Sequence, residues 1–413
     1  MSPRPGTPPE CLARVGLVLA IVCPGQGAQS PGFLAPWLEL PGFADRMAWL
    51  SACAGIDLVA HGTTSDADTI RDTAVAQPLI VGSGLVSFLA LFDHPADAYR
   101  TVRVGAGHSV GEITAAVGTG VLSAEQAMVF VRARGQGMAE ASARTPTSMR
   151  AVVGGDRDEV VAAIEAAGLT AANQNGANQV VAAGTVEQLE AFAAQPPART
   201  RVIPLQVAGA FHTEHMSPAV ETLAGYARAM STHDARIDLV SNADGSVLRS
   251  GREVLTRLVT QVSRPVRWDL CMDAFADMGI TGVIEIPPAG TLTGLVKKHL
   301  KGVEALALKT PDDLEAARRM IAEHGEDRSE GTDHPTWRML VSPAKGTVDL
   351  ACCDKGEGGR FAAGDQLATV RTLREEVPVV ATHGGQIVEW LVQDGDPVAP
   401  GQPIVRIHPS QED

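Results

Sequence analysis

From about residue 15 to residue 320, short apolar runs alternate with stretches of helical character, the rhythm of an α/β protein. Leu17 to Cys23 predicts the first core strand. Behind Arg4 and Arg14, the apolar run from Val15 imitates a secretion signal, but it is too short to cross a bilayer and a glycine-rich loop follows at once. Thr101, Val102 and Val104 predict a second strand, and Ile113 to Val117 a helix after it. Ser123 and Gln126 form a capping box for a helix that runs to about Glu140.

Residues 148 to 207 have a different order. A strand at Arg150 to Val153 precedes a helix opened by Asp156 and Glu159. A strand near Leu169 to Ala172, a turn at Asn173 to Asn178 and a strand at Gln179 to Ala182 follow. A second helix opens at Thr185 with Gln188, and a strand spans Arg201 to Leu205. The order βαββαβ predicts a ferredoxin-like subdomain inserted in a larger α/β domain.

The pattern changes again near Ile321 to Pro335, where charged and small residues predict a linker over 321–335. From 336 to 408 the chain is strand-like with Gly/Asp turns, and it repeats. Gly346-Thr347-Val348 leads to Gly364-Asp365-Gln366-Leu367, as Gly385-Gln386-Ile387-Val388 leads to Gly401-Gln402-Pro403-Ile404. Two similar halves predict a small two-fold β-sandwich. The proline-rich start, residues 1–14, predicts disorder, which places the α/β domain at 15–320.

Composition narrows the classes. The chain of 413 residues is long enough for several domains, and its net charge of −14 argues against non-specific nucleic-acid or membrane-surface binding. The six cysteines are scattered without a C-x-x-C, which points to a reducing, cytoplasmic setting. No phosphate-loop or zinc spacing is present, so no metal or bound cofactor is implied.

The chemistry centres on Gly107-His108-Ser109-Val110-Gly111, a G-x-S-x-G nucleophile elbow between a strand and a helix. It marks a candidate acyl-transfer enzyme. The Val110 amide at the helix start is a candidate oxyanion donor. A serine needs a base, and His212 is the best candidate, with His215 its rival. No aspartate completes a triad, and a backbone carbonyl is the alternative means of orienting the imidazole. In Pro24-Gly25-Gln26-Gly27-Ala28-Gln29 the amide of Gln26 is a candidate second donor; the bland alternative is a plain turn. Arg134 lies mid-helix and is either a solvated surface residue or a clamp on a carboxylate.

From about 17 to 310 the chain resembles the malonyl-CoA:acyl carrier protein transacylases. The resemblance rests on residues 24–29, Gln77-Pro78, Gly107 to Glu112, the Arg134 helix and Asn173-Gln174-Asn175. It continues through Ala210-Phe211-His212, Ser241-Asn242, Gln261 and residues 292–295. Pro287-Pro288-Ala289-Gly290 departs from the glycine-rich turn usual there, which implies a local backbone adjustment. The resemblance implies an α/β-hydrolase-like core carrying the ferredoxin-like insert. It implies Ser109 as nucleophile, His212 as base and Arg134 on the malonyl carboxylate. It further implies the Gln26 and Val110 amides as the oxyanion hole and the Gln261 carbonyl orienting His212. Gln77 and Asn175 would line the pocket, and Phe211 would favour malonyl over methylmalonyl.

Residues 336–408 resemble the biotinyl/lipoyl carrier domain, on the repeated half-motif and the closing Pro400-Gly401-Gln402-Pro403. Aligned on Ala381 to Ile387, Arg374 stands where that family carries its modified lysine. The expected protein is a cytoplasmic malonyltransferase with malonyl-CoA and acyl carrier protein as partners and a small all-β appendage. That appendage would be a docking module, with acyl-CoA carboxylase subunits as its candidate partner. Two alternatives stand beside this: transfer of another dicarboxylic acyl group in polyketide or specialised lipid synthesis, and a carrier or scaffold acting through the C-terminal domain.

Overall fold

The first apolar run forms the strand Leu19–Cys23 at the middle of a six-stranded sheet, in a computed structural model that describes residues 17–92, 95–176, 178–326, 338–350, 355–356, 358–381 and 384–409. Gly282–Glu285 and Glu304–Ala307 lie on one side of it; Val104–Gly107, Asp238–Val240 and Val247–Leu248 lie on the other. Every neighbouring pair is parallel except the last. A parallel sheet is covered on both faces, so its strands are apolar throughout rather than alternating. Leu19, Ile21 and Cys23 enter one core cluster, while Ala20 and Val22 enter the other.

The second strand starts later than its β-branched residues suggest. Thr101 ends the helix Pro95–Thr101 and the strand is Val104–Gly107. The β-branched residues 101 and 102 are thus overridden by helix packing, a common outcome for so short a signal. The capping boxes at Ser123/Gln126 and Thr185/Gln188 are both formed.

The inserted segment consists of the strands Thr147–Gly154, Thr170–Gln174, Gln179–Thr185 and Thr200–Pro204, with helices Arg157–Ala166 and Val186–Ala194. The four strands lie in the spatial order fourth, first, third, second, as in a ferredoxin-like fold, around a core of their own that includes Val152, Ile164 and Leu189. The larger part adds a fifth strand, Val266–Arg267, parallel to Thr170–Gln174. An ion pair reinforces that seam: Arg157 reaches the buried carboxylate of Asp269 at 2.7 Å, and Arg267 meets the same group at 2.9 Å.

The chain divides into two units, Met1–Arg328 and Ser329–Asp413. The second consists of two four-stranded sheets. One orders Arg338–Val341, Pro403–Pro409, Gly385–Trp390 and Arg360–Phe361; the other orders Glu376–Val380, Gln366–Arg371, Gly346–Asp349 and Pro397–Val398. Leu367, Val370, Ile404 and Val405 form part of its core. The sequence repeat appears as equivalent turns: Gly364 and Gly401 take φ of 89° and 81°, and each is followed by a strand. Gln366–Arg371 and Glu376–Val380 make a hairpin in which Thr372 pairs with Glu375, so Leu373 and Arg374 form its exposed tip.

Residues 1–14 lie outside the described residues, as does most of the expected linker. Its start at 321 is not as expected, because the helix Leu314–His324 runs through that point. Its amphipathic face carries Met320 and Ile321 into the core. Nδ1 of His324 lies 2.9 Å from the Thr281 hydroxyl, and the Glu326 amide donates to the Thr101 carbonyl at 3.0 Å. A chain truncated after Glu326 is therefore expected to melt as the first unit does within the full protein. One truncated after Ile321 should lose about 1–2 kcal/mol and melt several degrees lower. Equal melting temperatures in calorimetry would remove the last turn from the folded unit.

Candidate active site

Strands Leu19–Cys23 and Val104–Gly107 lie side by side with Cys23 opposite Gly107, so the loops leaving their carboxyl ends meet. After Gly107 the chain turns through Ser109, at φ 53°, into the helix Gly111–Gly118. Only glycine fits on either side. A Cβ on Gly107 would lie 2.0 Å from the Gly111 carbonyl carbon, and one on Gly111 would lie 2.2 Å from the Cys23 oxygen. Asn242 holds the turn, accepting from the Ser109 amide at 2.8 Å and donating to the Gly107 carbonyl at 2.7 Å. The Ser109 amide is thus occupied. The amides of Val110 and Gln26 are given to no protein acceptor among the described residues.

The Ser109 hydroxyl lies 2.7 Å from Nε2 of His212. Nδ1 of the same ring lies 2.9 Å from the Gln261 carbonyl oxygen, which accepts its hydrogen and leaves Nε2 as the acceptor. His212 itself sits at φ 61°, with its amide held by the Val262 carbonyl at 3.0 Å. No carboxylate contacts the imidazole among the described residues. His215 lies in the short turn Glu214–Met216 and does not border the pocket that Ser109 and His212 line.

Arg134 is not solvated: it is 1% exposed. Its Nη1 donates to Gln77 Oε1 at 2.7 Å, and its Nη2 to Gln261 Oε1 at 2.8 Å and to the Ser109 hydroxyl at 3.3 Å. Local sequence brings the Gln77 and Arg134 helices this close. A Cβ on Gly135 would come 2.8 Å from the Thr73 carbonyl oxygen, so a glycine is needed where the helices cross. Pro78 lies inside the helix Thr73–Leu91 and cannot donate to the Ala74 carbonyl; Arg132 donates to that carbonyl instead, at 3.2 Å. This helix is the one among the described residues long and apolar enough to cross a membrane, and most of it is buried in the core.

The serine and the histidine line a pocket of about 220 Å³ between the sheet and the inserted subdomain, and Arg134 and Gln261 lie behind its lining. Gln26, Gln77, Ser109, Asn175, Phe211 and His212 all border it. Asn175 accepts from His108 Nε2 at 2.9 Å, and Gln26 donates its side-chain amide to the Arg71 carbonyl at 3.2 Å. A larger groove of about 590 Å³, bordered by Leu85, Phe88, Tyr99 and Arg236, also carries Ser123, Ser231 and His233, but only the smaller pocket holds a hydroxyl hydrogen-bonded to an imidazole among the described residues.

Burial dominates the electrostatics. It pulls His212 down to about 3, reinforced by the positive charge of Arg134 and opposed by the Gln261 carbonyl. It pulls Arg134 down to about 9, opposed by Glu112, so the guanidinium stays charged at neutral pH. It pushes Glu112 up to about 7 against the hydrogen bonds from Asn242 and Gln261. The arrangement supplies a serine hydroxyl on a neutral imidazole, two free amides beside it and a buried cation hydrogen-bonded to the same hydroxyl. That is equipment for acyl transfer of an anionic group.

Two supporting residues escaped the reading from sequence. Asn242 was legible only as part of the resemblance, and Glu112 only as the residue after the elbow. Their side chains meet the site across 133 and 149 positions of sequence, a separation that no local pattern encodes.

Residues 20–320 match the family model described as acyl transferase domain, and residues 340–407 match that of biotin-requiring enzyme. The chain is 47% identical over 298 residues to a malonyl CoA-acyl carrier protein transacylase of Mycobacterium tuberculosis, covering 72% of this chain and 98% of the relative. It is 30% identical over 321 residues to one of Bacillus subtilis, covering 75% and 99%. Among solved structures, MCAT from Mycobacterium tuberculosis superposes with a TM-score of 0.70 at 45% identity, covering 73% of this chain and 99% of that one. A type II PKS acyl-carrier protein complex with its malonyl-transacylase superposes with a TM-score of 0.69 at 28% identity, covering 73% and 99%.

The depressed His212 has a measurable consequence. A base near its ordinary value of 6.5 would lose acylation rate steadily below that pH, whereas one at about 3 remains neutral. Reaction of Ser109 with a neutral acylating reagent is expected to stay level from pH 8 to pH 5. An acid limb centred at 6.5 would show that the imidazole is not desolvated. For stability the sign is the usual one for a depressed group: the unfolded chain takes up the proton first, so the contribution of His212 is complete above 6.5 and is lost as pH falls toward 3.

Proposed function

The chain belongs to the malonyl CoA-acyl carrier protein transacylase family, and from that premise we propose which of its groups carry the chemistry. The protein transfers malonyl from malonyl-CoA to the phosphopantetheine thiol of acyl carrier protein, through a seryl ester, for fatty acid synthesis. In our reading Ser109 attacks the thioester carbonyl while His212 Nε2 takes its proton. The amides of Gln26 and Val110 hold the oxyanion as the tetrahedral intermediate forms. Coenzyme A leaves as its thiol, with the proton returned by His212. The carrier thiol then gives its proton to the same nitrogen and attacks the ester, which regenerates Ser109.

The observation that supports this most is one atom with two neighbours. The Ser109 hydroxyl lies 2.7 Å from the base and 3.3 Å from Arg134, so a malonyl group on that oxygen would have its carboxylate within reach of the guanidinium. An acyl group without a carboxylate would leave a buried charge unpaired, which rejects acetyl. Phe211 narrows the pocket near the malonyl Cα, Gln77 and Asn175 shape its walls, and Gln261 orients His212. Nucleophile, base, oxyanion donors and clamp complete the reaction, and no step is left for a metal or cofactor.

For the C-terminal unit we propose a docking role without biotin or lipoate. Arg374 occupies the hairpin tip where the carrier family has lysine, and a guanidinium stays protonated and does not accept an acyl group. A carboxylase that supplies malonyl-CoA is the partner we favour, since tethering raises local concentration. We place the protein in the cytoplasm, with no nucleic-acid or membrane partner.

Incubation with malonyl-, methylmalonyl- and acetyl-CoA, followed by mass mapping, is expected to put malonyl on Ser109 and to leave the Ser109→Ala variant unmodified. A stable adduct elsewhere, with transfer retained by that variant, would remove Ser109 from the mechanism; a preferred methylmalonyl adduct would favour the polyketide alternative. Arg134→Ala should lower malonyl transfer by two to three orders of magnitude, about 3–4 kcal/mol, and narrow the malonyl-over-acetyl ratio. A preserved ratio would mean that the clamp lies elsewhere. Streptavidin should not capture the native protein, whereas Arg374→Lys coexpressed with a biotin ligase should be captured. Capture of the unaltered chain would place the attachment on another lysine.

A further inference from the structure

Glu112 directly follows the elbow, is 3% exposed, and has no part in the steps above. Its Oε1 accepts from the Asn242 amide at 2.9 Å, and its Oε2 accepts from the Gln261 side-chain nitrogen. Gln261 touches every charged or reacting part of the site. Its backbone carbonyl orients His212, its Oε1 accepts from Arg134 at 2.8 Å, and its Nε2 also donates to the Ser109 carbonyl at 3.0 Å.

A glutamine amide has a donor end and an acceptor end, and both orientations fill the same space. Turned over, Gln261 would aim its NH2 at the guanidinium of Arg134, donor against donor. The carboxyl group on the far side prevents this: both Glu112 oxygens take N–H donors, and above about 7, where burial places its ionisation, the group can only accept. The alternative way to hold Arg134, a carboxylate in direct contact, would neutralise it and compete with an incoming acyl carboxylate. Among the described residues Arg134 has no such ion pair, and two neutral glutamine oxygens hold it instead. The acid lies one residue away, with Gln261 between.

We propose that Glu112 is a positioning residue for acyl-group selection: by accepting from Gln261 it fixes the orientation of that amide, and so holds Arg134 in place without neutralising it. The inference rests on the reading of Arg134 as the carboxylate clamp. It separates two functions of Gln261. The side chain, under the control of Glu112, serves Arg134; the backbone carbonyl serves His212 and is independent of that side chain.

The test is Glu112→Gln, close in shape but with a donor at one of the two acceptor positions. The malonyl-over-acetyl ratio in kcat/KM for Ser109 loading should fall about 10- to 100-fold, the worth of one hydrogen bond to a charged group, chiefly through a higher KM for malonyl-CoA. Reaction of Ser109 with phenylmethylsulfonyl fluoride, which carries no carboxylate, should change less than about twofold, because His212 keeps its backbone acceptor. Should this variant fail to fold, Gln261→Met removes the amide and keeps the carbonyl, and the same fall in ratio is expected. An unchanged ratio in either folded variant overturns the proposal. So does an equal loss of malonyl loading and sulfonylation, the mark of general disorder. Absence of a malonyl adduct on unaltered Ser109 would defeat the functional reading instead, and the two failures are therefore distinguishable.

Discussion

A guanidinium 1% exposed is the constraint on which the rest of the site depends. Removing such a charge from water costs on the order of several kcal/mol unless polar groups surround it. Here the surrounding groups are the oxygens of Gln77, Gln261 and Ser109, each on a different segment of chain. Each segment must approach closely, and the local sequence permits it. Gly135 lets the Arg134 helix press against the start of the Gln77 helix, and Arg132 satisfies the carbonyl that Pro78 leaves without a donor.

The same cation and the same burial set the state of the base. Both disfavour a second positive charge, so His212 is held neutral with Nε2 open, at the cost of weaker basicity. An ionised aspartate on Nδ1 would work against this by stabilising imidazolium, and a backbone carbonyl orients the ring while adding no charge. That no acid joins the serine–histidine pair among the described residues is thus coherent with the cation beside it. The elbow contributes in a different way. The positive φ of Ser109 lifts its hydroxyl toward the pocket, at a conformational cost that the Asn242 and parallel-strand contacts offset.

The C-terminal unit carries a different lesson. Its two halves repeat in sequence and in turn geometry, with Gly364 and Gly401 in the same left-handed conformation. In the proposed docking reading the residue that would distinguish a carrier from a scaffold is the tip residue Arg374, where side-chain identity rather than fold would decide.

Much of the fold was legible in the sequence because it is written locally. Apolar runs flanked by glycine, two capping boxes and the βαββαβ order each involve neighbours a few residues apart. The elbow is local too, since its glycines are needed by contacts within the turn and with the adjoining strand end. Where local signals were weak they failed: Thr101 ends a helix, and the linker expected from 321 begins inside a helix that runs to His324 because its apolar face finds a core. The site was legible only in part. Composition and spacing left His212 and His215 as rivals and Arg134 between surface and clamp, while Gln77, Asn175, Phe211 and Gln261 rested on resemblance alone. Only tertiary structure brings these residues together, because Ser109 meets His212 across 103 positions and Gln261 across 152. A pattern along the chain reports which face of an element is buried. It does not report which distant side chain will share that burial, and at this site the sharing sets both the charge of Arg134 and the neutrality of His212.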